Sequence, residues 1–287
     1  MQTIDLRELE HLRQFKLNIR KSLSLGEGAR RSSAKGRSAE FSGYREYIPG
    51  DDMRYVDWNA YARLDKLFIK EYMEEKEGRV NIYLDTSRSM EFGRRLKSTA
   101  MAELTEAISF IAANGRDAVY VTDLQKPLQS YRVPSGPGAV PFLKKWLENI
   151  EPQGSINLSE ALPLSIRTRG GTGFILSDFM DEGFEEAQES IIRLFKQCGM
   201  QAFFIQILSE EELDIDDSGN YQFIDSENES RDVRVTLDRR TINSYKAALD
   251  EYINKIKMKA SVSGEHYILC STGDPLQKTI YEILKMT

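Results

Sequence analysis

Cysteine and histidine are scarce: the 287-residue chain has two of each, Cys198 and Cys270, His11 and His266. Two distant cysteines make neither a disulfide framework nor a metal knuckle, and they read as packing residues in a reducing compartment. Two histidines nearly exclude imidazole-based zinc centres. A Ser–His hydrolase is excluded as well, because no Gly-x-Ser-x-Gly elbow occurs and His266 begins a strand-like run. Long apolar runs are missing too. No stretch reaches the ~20 residues that span a bilayer, and the opening MQTIDLRELEHLRQFKLNIRKS is charged and amphipathic, unlike a signal peptide. The expectation is a cytoplasmic protein without membrane insertion. A glycine loop to cradle phosphate is also lacking, since Gly170-Gly171-Thr172-Gly173 precedes a strand where a P-loop follows one. The chain contains no internal repeat and no low-complexity tract.

What is present is charge, unevenly spread. Net charge is −6, yet Arg13 to Arg37 carries eight Lys/Arg against the single acid Glu27. Ser209 to Asp232 carries ten Asp/Glu against Arg231 alone. Both read first as solvated surface. A nucleic-acid role for the basic stretch lacks aromatic interleaving, with only Phe15 nearby, so none is expected.

Periodicity divides the chain at Gly78. Residues 3–25 alternate apolar and charged at helical spacing, which predicts a helix, and GEGARRSSAKGRSAEFSG after it reads as a loop. The next segment is aromatic, with a Pro49-Gly50 turn, and predicts short strands. Beyond Gly78, strands predicted at 80–85, 117–124, 172–178, 201–208 and 266–272 alternate with helices at 96–113, 139–149, 185–197, 241–262 and 274–285. QSYRVP predicts a short edge strand, and LSEALPLSIRT a helix bent or offset by Pro163. Asp217-Ser-Gly and Asp225-Ser-Glu-Asn signal hairpin turns within the acidic stretch. The pattern is an α/β fold, a mostly parallel central sheet with helices on both faces. The expected organisation is residues 1–78, an N-terminal helix and extension packed on the sheet, then residues 79–287, the sheet domain.

The first strand of the sheet ends in VNIYLDTSRSMEFG, residues 80–93, placing Asp85, Ser87 and Ser89 at alternate positions where the strand stops. Sites in open α/β sheets form at such carboxyl ends, near the point where strand order reverses. Asp178 ends TGFILSD, an expected neighbour. Carboxylate and hydroxyl oxygens of this kind suit Mg²⁺. Asp and Ser are also common N-caps, so plain helix capping is the competing account.

DTSRS resembles the Asp-x-Ser-x-Ser signature of von Willebrand factor A domains, where it follows the first strand and builds a metal-ion-dependent adhesion site (MIDAS). LSD, Leu176 to Asp178, is similar to that family's second acidic loop. The resemblance implies a Rossmann-like fold and Mg²⁺ or Mn²⁺ held by Asp85, Ser87 and Ser89, with Asp178 assisting through water. A partner's acidic residue would complete the coordination. The family's usual Thr ligand is replaced: GSINL, residues 154–158, puts Ile156 there, with Ser155 one position out of register. Weak metal binding is therefore expected.

REYIPGDDMRYVDW, residues 45–58, resembles the signature of a prokaryotic family known as domain of unknown function fifty-eight, in which it precedes a von Willebrand A-like domain. That kinship implies a partner, an AAA+ ATPase of the MoxR type, and an adaptor role in a chaperone-like or maturation system. The plainer account of this segment is structural, with Arg45, Asp51, Arg54 and Asp57 as buried pairs. Three function classes follow. The first is a non-enzymatic, metal-modulated interaction module. The second is a metal-dependent hydrolase using Asp85, although Ser87 stands where haloacid-dehalogenase-like chemistry needs a second carboxylate. The third is a scaffold resting on the basic arm alone.

Overall fold

The computed structural model describes residue 4 and residues 6–17, 40–73, 78–181, 183–215, 219–224 and 232–287. Most of the Gly/Ser/Arg-rich loop and of the basic stretch, and the hairpin turns expected at Asp217 and Asp225, lie outside those residues; the end of that loop, residues 40–43, is strand instead. The chain divides into two compact units, Met1–Ser22 with Gly78–Thr287, and Leu23–Glu77. The first residues thus belong with the sheet unit, whereas the sequence reading groups 1–78 together.

In the smaller unit, β1 (Glu40–Glu46) pairs antiparallel with β2 (Phe68–Met73), and α2 (Trp58–Leu64) lies between them in the chain. The Arg-Glu-Tyr…Asp-Trp signature proves to be a set of turns and caps. Gly50 has φ 109°, open only to glycine at low strain. Asp51 accepts both guanidinium nitrogens of Arg45, at 2.6 and 2.7 Å, and the Ile48 amide at 2.9 Å. The Arg45 hydrogen bonds and that amide hold the Asp51 carboxyl down at about 2. Asp52 caps the 3-10 turn Met53–Tyr55, and Asp57 caps α2 while accepting the Tyr44 hydroxyl at 2.8 Å. Burial of the four charges is not observed as expected. Only Asp57 is buried, the Arg45–Asp51 pair is part-exposed, and Arg54 pairs with Asp52 at 80% side-chain exposure. Short side-chain-to-backbone bonds satisfy these carboxylates where they stand, so they need no interior.

In the larger unit α1 (Leu6–His11) continues as a 3-10 turn, Leu12–Gln14, and stops. The helix expected over 3–25 is therefore shorter within the described residues. Packing overrides its periodicity: Phe15 leaves the helix to set its ring edge-on against Tyr281 at 5.6 Å, and Leu17 is buried. Ile4 fastens the segment, its amide donating to the buried Glu106 at 2.8 Å and its carbonyl accepting Lys144 at 3.0 Å.

The sheet unit then runs β3 (Arg79–Leu84), α3 (Lys97–Asn114), β4 (Ala118–Asp123), β5 (Ser130–Arg132) and α4 (Ala139–Glu148). It continues with α5 (Leu158–Ser165), β6 (Gly171–Ser177), α6 (Phe184–Gln197), β7 (Met200–Leu208) and the single turn α7 (Glu210–Leu213). The acidic stretch forms the antiparallel pair β8 (Gly219–Ile224) and β9 (Asp232–Leu237). It closes with α8 (Arg239–Val262), β10 (His266–Ser271) and α9 (Leu276–Met286). Pro163 lies inside α5, which stops two residues later.

Strand order in the six-stranded sheet is β10-β7-β6-β3-β4-β5, parallel except for the β5 edge. The chain moves from β3 outward to β4 and β5, then returns across β3 to β6, so strand order reverses between β3 and β6. That is where a crevice opens in this class of sheet. β6 is buried throughout, as a parallel strand covered on both faces must be. One apolar cluster holds α3, α4, α9 and the N-terminal segment, and the second holds α5, α6 and α8. The two cover opposite faces.

Gly173 on β6 is fixed by that second face. A Cβ there would lie 2.4 Å from the Phe195 ring and 3.2 Å from Tyr83. Gly173→Ala is expected to lower stability by about 1–3 kcal/mol through overpacking. Urea titration checks it: an unchanged midpoint would mean that α6 shifts freely against the sheet.

Candidate functional site

Asp85 follows the last residue of β3 and stays on the ladder, its amide donating to the Leu176 carbonyl of β6 at 3.0 Å. Both carboxylate oxygens are engaged. Oδ1 accepts the Ser87 amide at 2.9 Å, and Oδ2 accepts the hydroxyl of Ser177. The side chain is buried, with 3% of the residue exposed. Burial, reinforced by the negative charge of Asp178, pushes its pKa up to about 6 against the hydrogen bonds from Ser177 and Ser87.

The loop carrying the serines is clamped on two sides. Thr86 donates its hydroxyl to Asp123 at the end of β4, and Asp123 also accepts the Gln125 amide at 3.0 Å. Gln153 donates its amide to the Thr86 carbonyl at 2.9 Å, and the Arg88 amide donates to Gly154 at 2.9 Å. Residues 153–154 therefore lie against the loop that carries the serines. Ile156, however, is buried in the second apolar cluster, while Ser155 is exposed. An aliphatic residue stands there because the position belongs to the core.

Ser87 occupies the N-cap position of the 3-10 turn Arg88–Glu91 but makes no side-chain capping bond. Its Oγ lies 3.0 Å from Ser89 Oγ. Two ligands on one edge of a Mg²⁺ octahedron with 2.0–2.1 Å bonds are about 2.9 Å apart. The hydroxyl pair thus fits a hard cation with little rearrangement, beside a carboxylate of the right chemistry. Capping accounts for part of the arrangement: Asp85 and Asp178 each accept the amide two residues ahead. The serine hydroxyls cap no amide: they hydrogen-bond each other, and that of Ser87 also bonds Asp85.

Asp178 stands one residue past β6, beside the strand that carries Asp85. Its Oδ1 accepts the Met180 amide at 3.1 Å and its Oδ2 accepts the Lys97 ammonium at 2.7 Å. Both carboxylate oxygens thereby accept a hydrogen bond from within the protein. Its carbonyl accepts Gln206 at 2.7 Å, which in turn accepts the Tyr267 hydroxyl at 2.6 Å. The next residue, Phe179, is fully buried at φ 54°, a left-handed conformation unusual for an aromatic residue. Its amide donates to Ser177 Oγ at 2.9 Å, the Tyr252 hydroxyl donates to its carbonyl, and its ring stacks on Phe184 at 4.6 Å.

Lys97, Glu212, Ser177, Thr86 and Asp123 are the residues that the sequence reading missed. Lys97 opens α3 and is 1% exposed, with its ammonium 2.7 Å from Asp178 and 2.8 Å from Glu212. A cation at a helix N-terminus opposes the helix dipole. Burial pulls its pKa down, and the carboxylates of Asp178 and Glu212 more than reverse that, so it lies above the ordinary lysine value. Glu212 also closes a capping box on α7 with Ser209. Among the described residues no group of three or more His, Cys, Asp or Glu side chains is placed to hold a metal ion. The set here is one carboxylate and two hydroxyls.

The raised Asp85 pKa has a definite sign. Folding favours the protonated acid, so stability is greatest below the ordinary value of 3.8, falls as pH rises through about 6, and stays reduced above it. Asp85→Asn is expected to melt higher than the wild type at pH 7.5, by an amount equivalent to about 1–3 kcal/mol. The gap should close below pH 4. Melts across that range check it, and a destabilised Asn variant at pH 7.5 would show that the ionised form is well solvated.

Comparison with known proteins gives three results. No curated protein matches this chain. Among solved structures, the manganese-loaded TRAP protein of Plasmodium vivax aligns at 9% identity and TM-score 0.30, over 45% of this chain and 56% of that one. The aligned region thus spans little over half of that protein's length. A family described as "Protein of unknown function DUF58" matches residues 43–252, most of the chain including the signature turns, β3 and the strand-end site. The chain belongs to the DUF58 family.

Proposed function

We propose that the protein is a non-enzymatic interaction module whose strand-end site engages a carboxylate of a partner protein, with a MoxR-type AAA+ ATPase as that partner and a maturation or chaperone-like system as its setting. The observation that carries this reading is the buried, destabilised Asp85 beside two serine hydroxyls that cap nothing. A fold gains nothing from an ionised interior carboxylate, and such groups collect where binding needs them. Asp85, Ser87 and Ser89 would hold Mg²⁺ or Mn²⁺ with water filling the remaining positions. A divalent ion there supplies an electrophilic point able to accept a carboxylate oxygen.

This chain's residues would do the rest. Asp85 is oriented by the Ser87 amide and the Ser177 hydroxyl, and the loop is braced by Asp123. Ser89 is the half-exposed member of the set, so a partner would approach past it. Arg88, Phe92 and Met180 are exposed on the same loops, a cation and two apolar side chains suited to a short acidic segment. Catalysis fits less well. With both oxygens hydrogen-bonded and 3% exposure, Asp85 is a poor nucleophile, and Lys97 is enclosed by its two carboxylates. A pKa of about 6 does suit a general acid or base, and that favours a metal-dependent hydrolase as the second reading.

Affinity capture separates the two. A MoxR-type ATPase should be retained by the wild type in Mg²⁺, with capture reduced at least tenfold by Asp85→Ala or by EDTA, provided the variant melts cooperatively. Equal capture by both proteins would remove the site from the interaction. Hydrolysis of a phosphoester or peptide that is lost in Asp85→Ala would promote the second reading.

A further inference from the structure

The Lys97 ammonium lies within 2.7–2.8 Å of two carboxylate oxygens that come from different elements, Asp178 after β6 and Glu212 on α7. The lysine side chain is 1% exposed and Asp178 4%, so neither charge is relaxed by bulk water. Asp178 follows Ser177, whose hydroxyl donates to Asp85 Oδ2, and β6 pairs directly with the strand that carries Asp85. A fixed positive charge on Asp178 therefore acts on the same local field that a divalent ion at Asp85, Ser87 and Ser89 would have to enter. We infer that Lys97 is a resident counter-cation which sets the affinity of the strand-end site for divalent metal, keeping it weak.

Two effects act in the same direction. The ammonium offsets the charge of Asp178, on the strand beside Asp85, and repulsion between it and an incoming divalent ion is poorly screened in this interior. It also holds Asp178 Oδ2 by a charge-assisted hydrogen bond, while the Met180 amide holds Oδ1, which makes that carboxylate a poorer acceptor for metal-bound water. The network is anchored by more than its charges. Glu212 is held by Ser209, whose amide donates to Glu212 Oε2 at 2.7 Å and whose hydroxyl accepts the Glu212 amide at 3.1 Å. Gly93, on the loop entering α3, packs so closely that a Cβ would lie 2.7 Å from Ser209 Cβ. The lysine cannot swing away without moving α7 or that loop.

The inference rests on the proposed cation site but not on any partner, because its test uses Mn²⁺ and this 287-residue chain alone. Lys97→Met removes the cation and leaves buried Asp178 and part-buried Glu212 without it. If it does not fold, Lys97→Gln with Glu212→Gln keeps hydrogen-bonding groups and leaves Asp178 as the remaining acid of the trio. Mn²⁺ affinity, read by titration calorimetry and by electron paramagnetic resonance, should tighten at least tenfold in either variant. Their melting temperatures should rise with Mn²⁺ more than the wild type's does. Adding Asp85→Asn should return the affinity to the wild-type level. Equal or weaker Mn²⁺ binding in the folded variants overturns the inference, as does tight binding that survives Asp85→Asn, which would place the ion on Asp178 instead. Loss of ATPase capture with these Mn²⁺ results intact would count against the partner reading only.

Discussion

Two carboxylates nearly withdrawn from water at the ends of neighbouring strands impose the constraint around which this fold is arranged. Asp85 and Asp178 are each 3% exposed, and β3 and β6, which carry them, are adjacent and parallel. An ion buried without compensation costs several kcal/mol. The protein compensates the two differently. Asp178 receives an ammonium, an amide and a neighbour, Phe179, locked in an unusual backbone conformation. Asp85 receives an amide and the hydroxyls of Ser177 and Ser87 but no cation, and its pKa of about 6 records the shortfall. Since Asp178 is fully paired, the unmet charge of the site is concentrated on Asp85. Removing Lys97 alone would expose the other half of the problem, because breaking a buried pair from one side costs about 3–5 kcal/mol.

The placement of this pair follows from topology. A chain that builds β3, goes outward to β4 and β5, then returns to lay β6 against β3 must leave diverging loops above that junction. The loop after β3 turns toward α3 on one face, and the loop after β6 leads to α6 on the other. Both strands end in residues whose side chains accept the amide two positions on, so each chain end turns sharply out of the sheet. The third strand end, Asp123 on β4, braces the first loop through Thr86. A site of this kind needs rigid supports on several strands, and here three consecutive parallel strands supply them.

Much of this was legible in the sequence, because the signals were local. Strands buried on both faces read as continuous apolar runs, and the helices between them kept their periodicity; α3, α4, α6, α8 and α9 lie within a few residues of where the pattern put them. Asp85, Ser87, Ser89 and Asp178 were legible because each sits where a strand visibly stops. What escaped was set by tertiary packing. Lys97 looks like any surface lysine starting a helix, and nothing nearby in the chain announces Asp178, eighty-one residues away, or Glu212. Glu212 was hidden inside a run of acids that reads as solvated surface. Asp123 ends a strand just as Asp85 does, in DAVYVTDL, and that signal was available but not drawn on. The N-terminal helix was overdrawn because its spacing is also that of a segment folding back over α3 and α9.

The signature around residues 45–58 sharpens the distinction between residues that identify a family and residues that act. Gly50 is required by its backbone angle, Asp51 by Arg45 and the Ile48 amide, Asp52 by the 3-10 turn and Asp57 by α2. Each is explained by the turn it makes, with no ligand needed. Asp85 is the opposite case: its hydrogen bonds orient it but do not offset the cost of burying its charge, so its pKa stands at about 6, above the ordinary carboxylate value. The same residue type thus appears in two physical conditions in one chain, stabilised by local geometry in the smaller unit and destabilised at the sheet. It is the second condition, beside hydroxyls that cap nothing and a lysine enclosed by acids, that sets the strand-end residues apart from those of the signature.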